Sequence, residues 1–357
     1  MINTEIAIIG GGPAGMCAAL AAAEQGAHVI LMDRESKPGG QLVKQTHRFF
    51  GSEKEHAGTR GINIASMLEK AIGKYTNIEV KTKTTVLAIY DDGLIAIEER
   101  DRYKKVKGKK TIIATGASEK MIPFPNNDLP GIYGAGAVQT LMNQYGVVPG
   151  NKVLMVGAGN IGLIVSYQLM QAGIRVEAII DAAPGVGGYF VHASKIRRMG
   201  VPILTSHTIK EALGTDFVEG AIICQLDNNW QQVPGTEKEL AVDTICLAVG
   251  LSPLTDLLRH CSCLMKYIPQ LGGYVPIRDE HMETTSHGIY VAGDASGVEE
   301  ASSAMVEGKI AGLSAAESLG YSQNIQALRQ ECLDDLKSLR AGVTGLKIRE
   351  GLELLAV

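Results

Sequence analysis

Paired cysteines are missing from this sequence. Its six cysteines, Cys17, Cys224, Cys246, Cys261, Cys263 and Cys332, form no CxxC and no metal-ligand spacing. That scatter fits a reducing compartment and argues against a structural zinc or any other metal site. The CxC at 261–263 is too tightly spaced for ordinary disulfide geometry and reads as two separate thiols. A charge excess is missing too. With 34 basic and 38 acidic residues the formal net charge is −4, so the basic footprint of a nucleic-acid binder is absent. The start, MINTEIAIIGGGPAG, carries neither a basic leader nor a cleavable apolar region, and a cytoplasmic location is expected. Residues 153–174 hold no charge over a bilayer-spanning length. Gly157, Gly159, Asn160, Gly162, Ser166, Gln168, Gln171 and Gly173 interrupt them, so the stretch reads as strand, glycine loop and amphipathic helix, not as a membrane span.

Aromatic residues are few, one Trp and five Phe, while 42 of 357 residues are glycine, about 12% against a usual ~7%. Many backbone positions must turn tightly or come close to another group. The length predicts two cores, and 45% hydrophobic with 20% charged residues can fill them.

One unit occurs twice. In the first copy residues 6–9 form a short strand and Gly10, Gly12 and Gly15 frame the loop GGGPAG. An Ala-rich helix runs to Gly26, and a strand at 28–32 ends on Asp33. In the second copy the strand 153–156 leads into GAGNIG, with Gly157, Gly159 and Gly162, then a helix at 163–172 and a strand at 176–180 ending on Asp181. Each is a βαβ unit with GxGxxG opening the helix and an acid at the end of the second strand, the full dinucleotide fingerprint. The first glycine permits the turn, the second lets backbone N–H groups approach a pyrophosphate, and the third lets helix and strand pack closely. The positive helix end then faces the phosphates, and the carboxylate accepts from ribose hydroxyls.

Each copy continues into hairpin-rich sequence. In the first, 84–90 and 94–98 flank an Asp91-Asp92-Gly93 turn; in the second, 220–226 and 240–247 play that part. Apolar strands then run into small-residue turns at TIIATGA (111–117), ICLAVGLSP (245–253) and GIYVAGDASG (288–297). The expected fold is α/β, with two Rossmann-like domains, each with a β-meander, the second inserted in the first. The expected boundaries are 1–120 with 252–321 for the first domain and 121–251 for the second. Pro123, Pro125 and Pro130 mark one linker and Ser252-Pro253 the other. Residues 322–357 form a helical tail, with Ile325, Leu328, Cys332, Leu336 and Leu339 at helical spacing and Gly342 and Gly345 breaking it. It docks on the protein's own surface or contacts a partner.

GGGPAG with Asp33, GGQL at 39–42, IIATGAS at 112–118, GAGNIG and GIYVAGD together resemble the flavoprotein (pyridine nucleotide) disulfide reductases with two dinucleotide-binding domains, over residues 1–320. The resemblance implies FAD on the first domain and a nicotinamide nucleotide on the second. It implies FAD contacts at Gly10, Gly12, Pro13, Ala14, Gly15, Asp33, Arg34, Gly40, Gln41, Val86, Ala114, Thr115, Gly116, Gly293 and Asp294, the last toward the ribityl chain. Contacts to the second nucleotide are implied at Gly157, Gly159, Asn160, Ile161, Gly162, Asp181 and Gly250. The redox CxxC of those reductases is absent. The segment 263–301, with its LGG, VPIRD and GDASG elements, is similar to the nucleotide-binding subunits of heteromeric amine and amino-acid dehydrogenases. These include sarcosine oxidase alpha, opine oxidase A, hydrogen cyanide synthase B and dye-linked proline dehydrogenase alpha. Several continue into a cysteine-rich iron-sulfur segment, whereas here only Cys332 lies beyond position 300. The resemblance therefore implies an oligomer in which a small iron-sulfur subunit joins a second flavoprotein dehydrogenase subunit.

Asp181 repels a 2′-phosphate and favours NAD over NADP, although Arg197 and Arg198 follow and could reach the same place. Lys104, Lys105, Lys107, Lys109 and Lys110 read as a solvated hairpin rim or a steering patch for an acidic partner. Lys44, His47, Arg48, Phe49 and Phe50 approach the flavin edge, a neighbouring subunit or solvent. No catalytic acid or base is assigned, because the cofactor carries the chemistry. Three functions are compatible with this pattern. The first is the electron-transferring subunit of a heteromeric amine, amino-acid or hydroxy-acid dehydrogenase. The others are a stand-alone NAD(P)H reductase of a protein or quinone-like acceptor, and a nucleotide-binding scaffold.

Overall fold

The computed structural model describes residues 1–90, 92–343 and 345–355. Residues 1–118 with those from 251 onward form one compact unit, and residues 119–250 the other.

In the first unit the strand Ile2–Ile9 lies between Val29–Met32 and Tyr103–Ile113, parallel to both, and Ile78–Lys81 extends the sheet beyond Val29–Met32. Ile6, Ala7, Ile8 and Ile9 are buried without alternation, as a parallel strand covered on both faces requires. The strand starts earlier than its apolar part suggests, because Ile2, Asn3 and Thr4 pair with Val106, Lys107 and Gly108.

The long strand Tyr103–Ile113 serves two layers. Its end pairs in parallel with Ile289–Val291, and its beginning pairs antiparallel with Leu94–Glu99, which in turn pairs with Thr84–Ile89. In the turn of that meander Gly93 has φ +77° and its N–H donates to Tyr90 O at 2.8 Å, while Leu94 N–H donates to Asp92 Oδ1 at 3.0 Å. Asp91 of the same turn lies outside the described residues.

The Ala-rich helix Pro13–Glu24 packs backbone to backbone against Ala301–Glu317. A Cβ at Gly308 would strike the Ala14 carbonyl, and one at Gly312 the Ala18 carbonyl. Glycines four residues apart share a helix face, and their missing side chains let the partner helix come into contact. From Ser302 to Ala316 the second helix is buried except at Lys309, so it shows no amphipathic period. The tail helices Ile325–Leu339 and Leu346–Leu355 pack on this same unit. Ile325, Cys332 and Leu336 join the core around Pro13–Glu24, and Leu355 joins Ile268, Leu271 and Val275.

In the second unit five strands form a parallel sheet in the order Ile203–Thr205, Arg175–Asp181, Lys152–Val156, Thr244–Leu247, Ile132–Gly134. The span 153–174 divides into the strand Lys152–Val156 and the helix Asn160–Gln171. Residues 240–247, expected as one strand, are two. Lys238–Leu240 closes the antiparallel sheet of His207–Leu213 and Gly220–Gln225, while Thr244–Leu247 belongs to the parallel sheet. Asp243 enforces the break by accepting from the N–H groups of Asn151 and Lys152 at 2.9–3.0 Å. The expected linker around Pro123–Pro130 is instead packed: Phe124 is 8% exposed in the core of this unit, and Pro125 O accepts from Ala212 N–H at 3.1 Å.

Candidate dinucleotide-binding sites

Each unit builds the same loop with the same bonds. Gly10 and Gly157 have φ +103° and +113°, where only glycine is at ease. Their N–H groups donate to Met32 O at 2.8 Å and Ile180 O at 2.7 Å. A Cβ on Gly10 would run into the Ala114 carbonyl, and one on Gly157 into that of Ala248. The third glycines, Gly15 and Gly162, lie on the carbonyls of Gly10 and Gly157. These four glycines are required by the chain's own packing.

The middle glycines are not. Gly12 and Gly159 have φ −73°, which any residue adopts. A Cβ on Gly12 would find its nearest atom at 4.0 Å and one on Gly159 would meet nothing within 4 Å. Both are N-caps with no side chain to supply a bond, so the first-turn N–H groups of Pro13–Glu24 and Asn160–Gln171 lack a side-chain cap. Helix ends of this kind suit an anionic ligand such as a pyrophosphate.

The acids are bound alike. Asp33 Oδ2 accepts from Gly11 N–H at 2.6 Å and Oδ1 from Glu35 N–H at 2.8 Å; Asp181 Oδ2 accepts from Ala158 N–H at 2.6 Å and Oδ1 from Ala183 N–H at 2.9 Å. Each carboxylate oxygen keeps a further acceptor position for a ribose hydroxyl. The correspondence goes beyond the fingerprint. Gly39 N–H donates to Gly11 O at 2.7 Å and Gly188 N–H to Ala158 O at 2.9 Å, folding a second loop over each first one. The only sequence trace is a double glycine soon after each acid, PGG at 38–40 and VGG at 186–188. In the second unit Asn160 Oδ1 also accepts from Tyr189 N–H at 2.8 Å.

The strand ends converge on these loops. Ala114 N–H donates to Ile9 O at 2.8 Å and Ala248 N–H to Val156 O at 2.7 Å. Thr115 Oγ1 donates to Leu254 O at 2.8 Å, and Gly116 and Gly250 have φ +77° and +113°; a Cβ on Gly116 would meet nothing within 4 Å and one on Gly250 would touch Lys120 Cδ at 3.8 Å. Gly40 lies against Gly12, where a Cβ would come within 2.8 Å of the Gly12 Cα. Arg34 is 76% exposed, with Glu35 at 3.6 Å, and Gln41 is exposed. Ile161 is 41% exposed on the second helix. Val86 is half-buried in the meander opposite Ile97, on the strand whose first residue, Thr84, donates its N–H to Asp33 O at 2.9 Å.

Gly293 has φ +70°, and a Cβ there would sit 2.9 Å from that of Ala14, so the Gly293–Asp294 turn rests on the start of the first fingerprint helix. Asp294 Oδ1 accepts from Glu299 N–H at 3.3 Å. Burial pushes its carboxyl up to about 7, with the charges of Glu307 and Glu299 adding to the rise. Sequence reasoning missed Glu307, which accepts from Gly293 N–H at 3.0 Å and Ser296 Oγ at 2.7 Å. Its trace is a lone acid in the run 304–316, whose other residues, Lys309 aside, are small or apolar.

The lysine run is largely paired. Lys104 meets Glu99, Lys107 meets Asp92 at 2.9 Å and Lys109 meets Glu5 at 3.2 Å. The loop after Gly40–Lys44 folds back on itself, with Phe49 N–H on Thr59 O at 2.9 Å and His47 stacked on Phe49. All six cysteines are buried and none forms a disulfide.

Two such sites, one in each unit, define a protein built on two Rossmann-like dinucleotide-binding folds. Residues 4–308 match the pyridine nucleotide-disulphide oxidoreductase family; the chain belongs to it and is an oxidoreductase. It is similar to the opine oxidase A polypeptide of Rhizobium meliloti (strain 1021), 27% identical over 335 residues, covering 88% of this chain and 71% of that protein. The sarcosine oxidase alpha polypeptide of the same organism is 28% identical over 272 residues, covering 72% of this chain and 25% of that protein. Among solved structures, L-proline dehydrogenase from P. horikoshii has a TM-score of 0.72 at 25% identity and covers 93% of this chain and 59% of its own. These relatives thus contain substantial sequence that this chain does not match.

Proposed function

We propose that the first unit binds FAD, the second binds NAD, and the chain passes electrons in complex with a separate dehydrogenase subunit whose substrate is an amine, amino acid or hydroxy acid. The observation that carries this reading is the space above Gly12 and Gly159. Neither glycine is needed by the backbone, and each lies at an uncapped helix start beside a fixed carboxylate. Bound FAD would supply two-electron hydride chemistry. The residues' task is to hold the two nucleotides. The N–H groups of the Pro13–Glu24 and Asn160–Gln171 helices face the pyrophosphates, Asp33 and Asp181 accept from ribose, and Asp294 accepts from the ribityl chain.

NAD is favoured by Asp181 and by the absence of a cation at Ala182, Ala183 and Pro184. Arg197 and Arg198 end the helix Phe190–Arg198, whose start is tied to the fingerprint through Tyr189 and Asn160. At 1.5 Å per residue they are about 12 Å along the helix from that tie. The opine oxidase and sarcosine oxidase relatives are named as subunits, which supports a partner dehydrogenase, and a small iron-sulfur subunit completes the proposed assembly.

The test is purification with co-expressed neighbours, identification of the released flavin, and rapid mixing with NADH and NADPH. FAD release and faster reduction by NADH are expected, with Asp181→Ala narrowing the gap. FMN alone, or a colourless chain with no affinity for FAD, would overturn the first assignment, and faster reduction by NADPH the second. Turnover of amines, amino acids or hydroxy acids only with the partner present is the expected outcome of a substrate screen.

A further inference from the structure

The Gly293–Asp294 turn is held from beneath by charged groups, one of which comes from the far end of the chain. Glu307 is 3% exposed. Its Oε2 accepts from Gly293 N–H and Ser296 Oγ, and its Oε1 accepts from Arg278 Nη2 at 3.0 Å and Arg340 Nη2 at 2.6 Å. Arg340, the first residue past the helix Ile325–Leu339, also donates through Nε and Nη2 to Glu299 at 2.8–3.1 Å. Glu299 in turn gives its N–H to Asp294. The four side chains Arg278, Arg340, Glu299 and Glu307 are at most 14% exposed. Burial pushes the Glu307 carboxyl up, but Arg278 and Arg340 outweigh it and hold the group below the ordinary carboxylate range.

Two cations and two anions therefore balance within the protein. Removing Arg340 would leave Glu299 without its cation and Glu307 with Arg278 alone, which is costly for buried charge. We propose that Arg340 is a positioning residue for the flavin: by gripping Glu307 and Glu299 it fixes the Gly293–Asp294 turn, so the end of the tail helix Ile325–Leu339 is part of the FAD site. The inference rests on the assignment of FAD to the first unit. The charged groups facing Asp294 are Glu299 from the following loop and Glu307 from the helix Ala301–Glu317, with Arg278 and Arg340 behind them.

The experiment is FAD titration of the full-length apoprotein, followed by flavin fluorescence between about pH 5 and about pH 9. Wild type, Arg340→Met, Arg340→Lys and the exposed control Lys337→Met are compared. Arg340→Met should weaken FAD about tenfold and move the acid-side loss of affinity upward by about one pH unit, since Asp294 then feels two less-compensated anions. Arg340→Lys should recover part of both effects and Lys337→Met should match wild type. Should Arg340→Met fail to fold, Glu299→Gln carries the test. Losing that anion should move the midpoint the opposite way, downward. An unchanged affinity and pH profile in Arg340→Met, or an unmoved midpoint in Glu299→Gln, would overturn the inference while leaving the FAD assignment standing. A wild-type chain that takes up no FAD at any pH would sink both.

Discussion

At the scale of single residues the two fingerprints separate glycines that the fold needs from glycines that its own packing does not require. Gly10 and Gly15 have no room for a Cβ, whereas Gly12 has ordinary φ and its nearest neighbour at 4.0 Å. Gly10→Ala should therefore give little folded protein. Gly12→Ala should melt within about 1 kcal/mol of wild type while losing FAD affinity at least ~10-fold through a methyl in the pyrophosphate's place. Thermal melts of the apoprotein alongside FAD titration decide this. Asp294 supplies a pH signature. Its carboxyl titrates at about 7 in the folded chain against a usual 3.8. Between those values the native state holds a proton that the unfolded state has released, so apoprotein stability falls as pH rises through that window and levels off above it. Asp294→Asn should flatten the decline of melting temperature between about pH 4 and about pH 7 and bind FAD more weakly at neutral pH. A wild-type melting temperature that rises over this window would contradict the assignment.

At the scale of elements, the pieces that carry a local pattern were legible and the others were not. Strand, glycine loop, helix and acid recur in sequence because each step is encoded within a few residues by turn geometry and apolar runs. The helix Ala301–Glu317 has no amphipathic period because it is covered on nearly all sides. Residues 240–247 read as one apolar strand, yet the Asp243 carboxylate bonds to Asn151 and Lys152 and divides them between two sheets. Neither outcome is visible without the partner segment. The contact of Pro13–Glu24 with Ala301–Glu317 can be tested through Gly312, where a methyl would strike the Ala18 carbonyl. Gly312→Ala should cost about 1–3 kcal/mol by overpacking. Gly185→Ala, with nothing within 4 Å, should melt like wild type. Equal melting of the two variants would mean that the helices are not so closely apposed.

At the scale of the whole molecule, the absence of a redox cysteine pair bears on electron flow. Burial pushes the Cys17 thiol up to about 12 and raises those of Cys224, Cys246 and Cys332, so they are poor nucleophiles for exchange. Cys261 and Cys263 are buried, and Cys263 Sγ lies 3.2 Å from Thr284 Oγ1. Reductive titration of the FAD-loaded chain should end at about two electrons per flavin. Cys261→Ser with Cys263→Ser should leave NADH-driven dye reduction nearly unchanged. Uptake of four electrons, lost in the double variant, would mean that a thiol pair takes part after all.

The two dinucleotide fingerprints, their acids, the lack of a redox CxxC and the helical tail can be read from residue order, because glycine φ requirements and apolar spacing are local properties. The tertiary structure alone decided which glycines are sterically obligatory and that Gly39 and Gly188 close equivalent loops over the two sites. It alone joined Arg278, Glu299, Glu307 and Arg340 beneath Asp294. Those facts depend on groups far apart in the chain meeting at hydrogen-bond distance, and a buried charge shows its partner only when the fold has brought the two together.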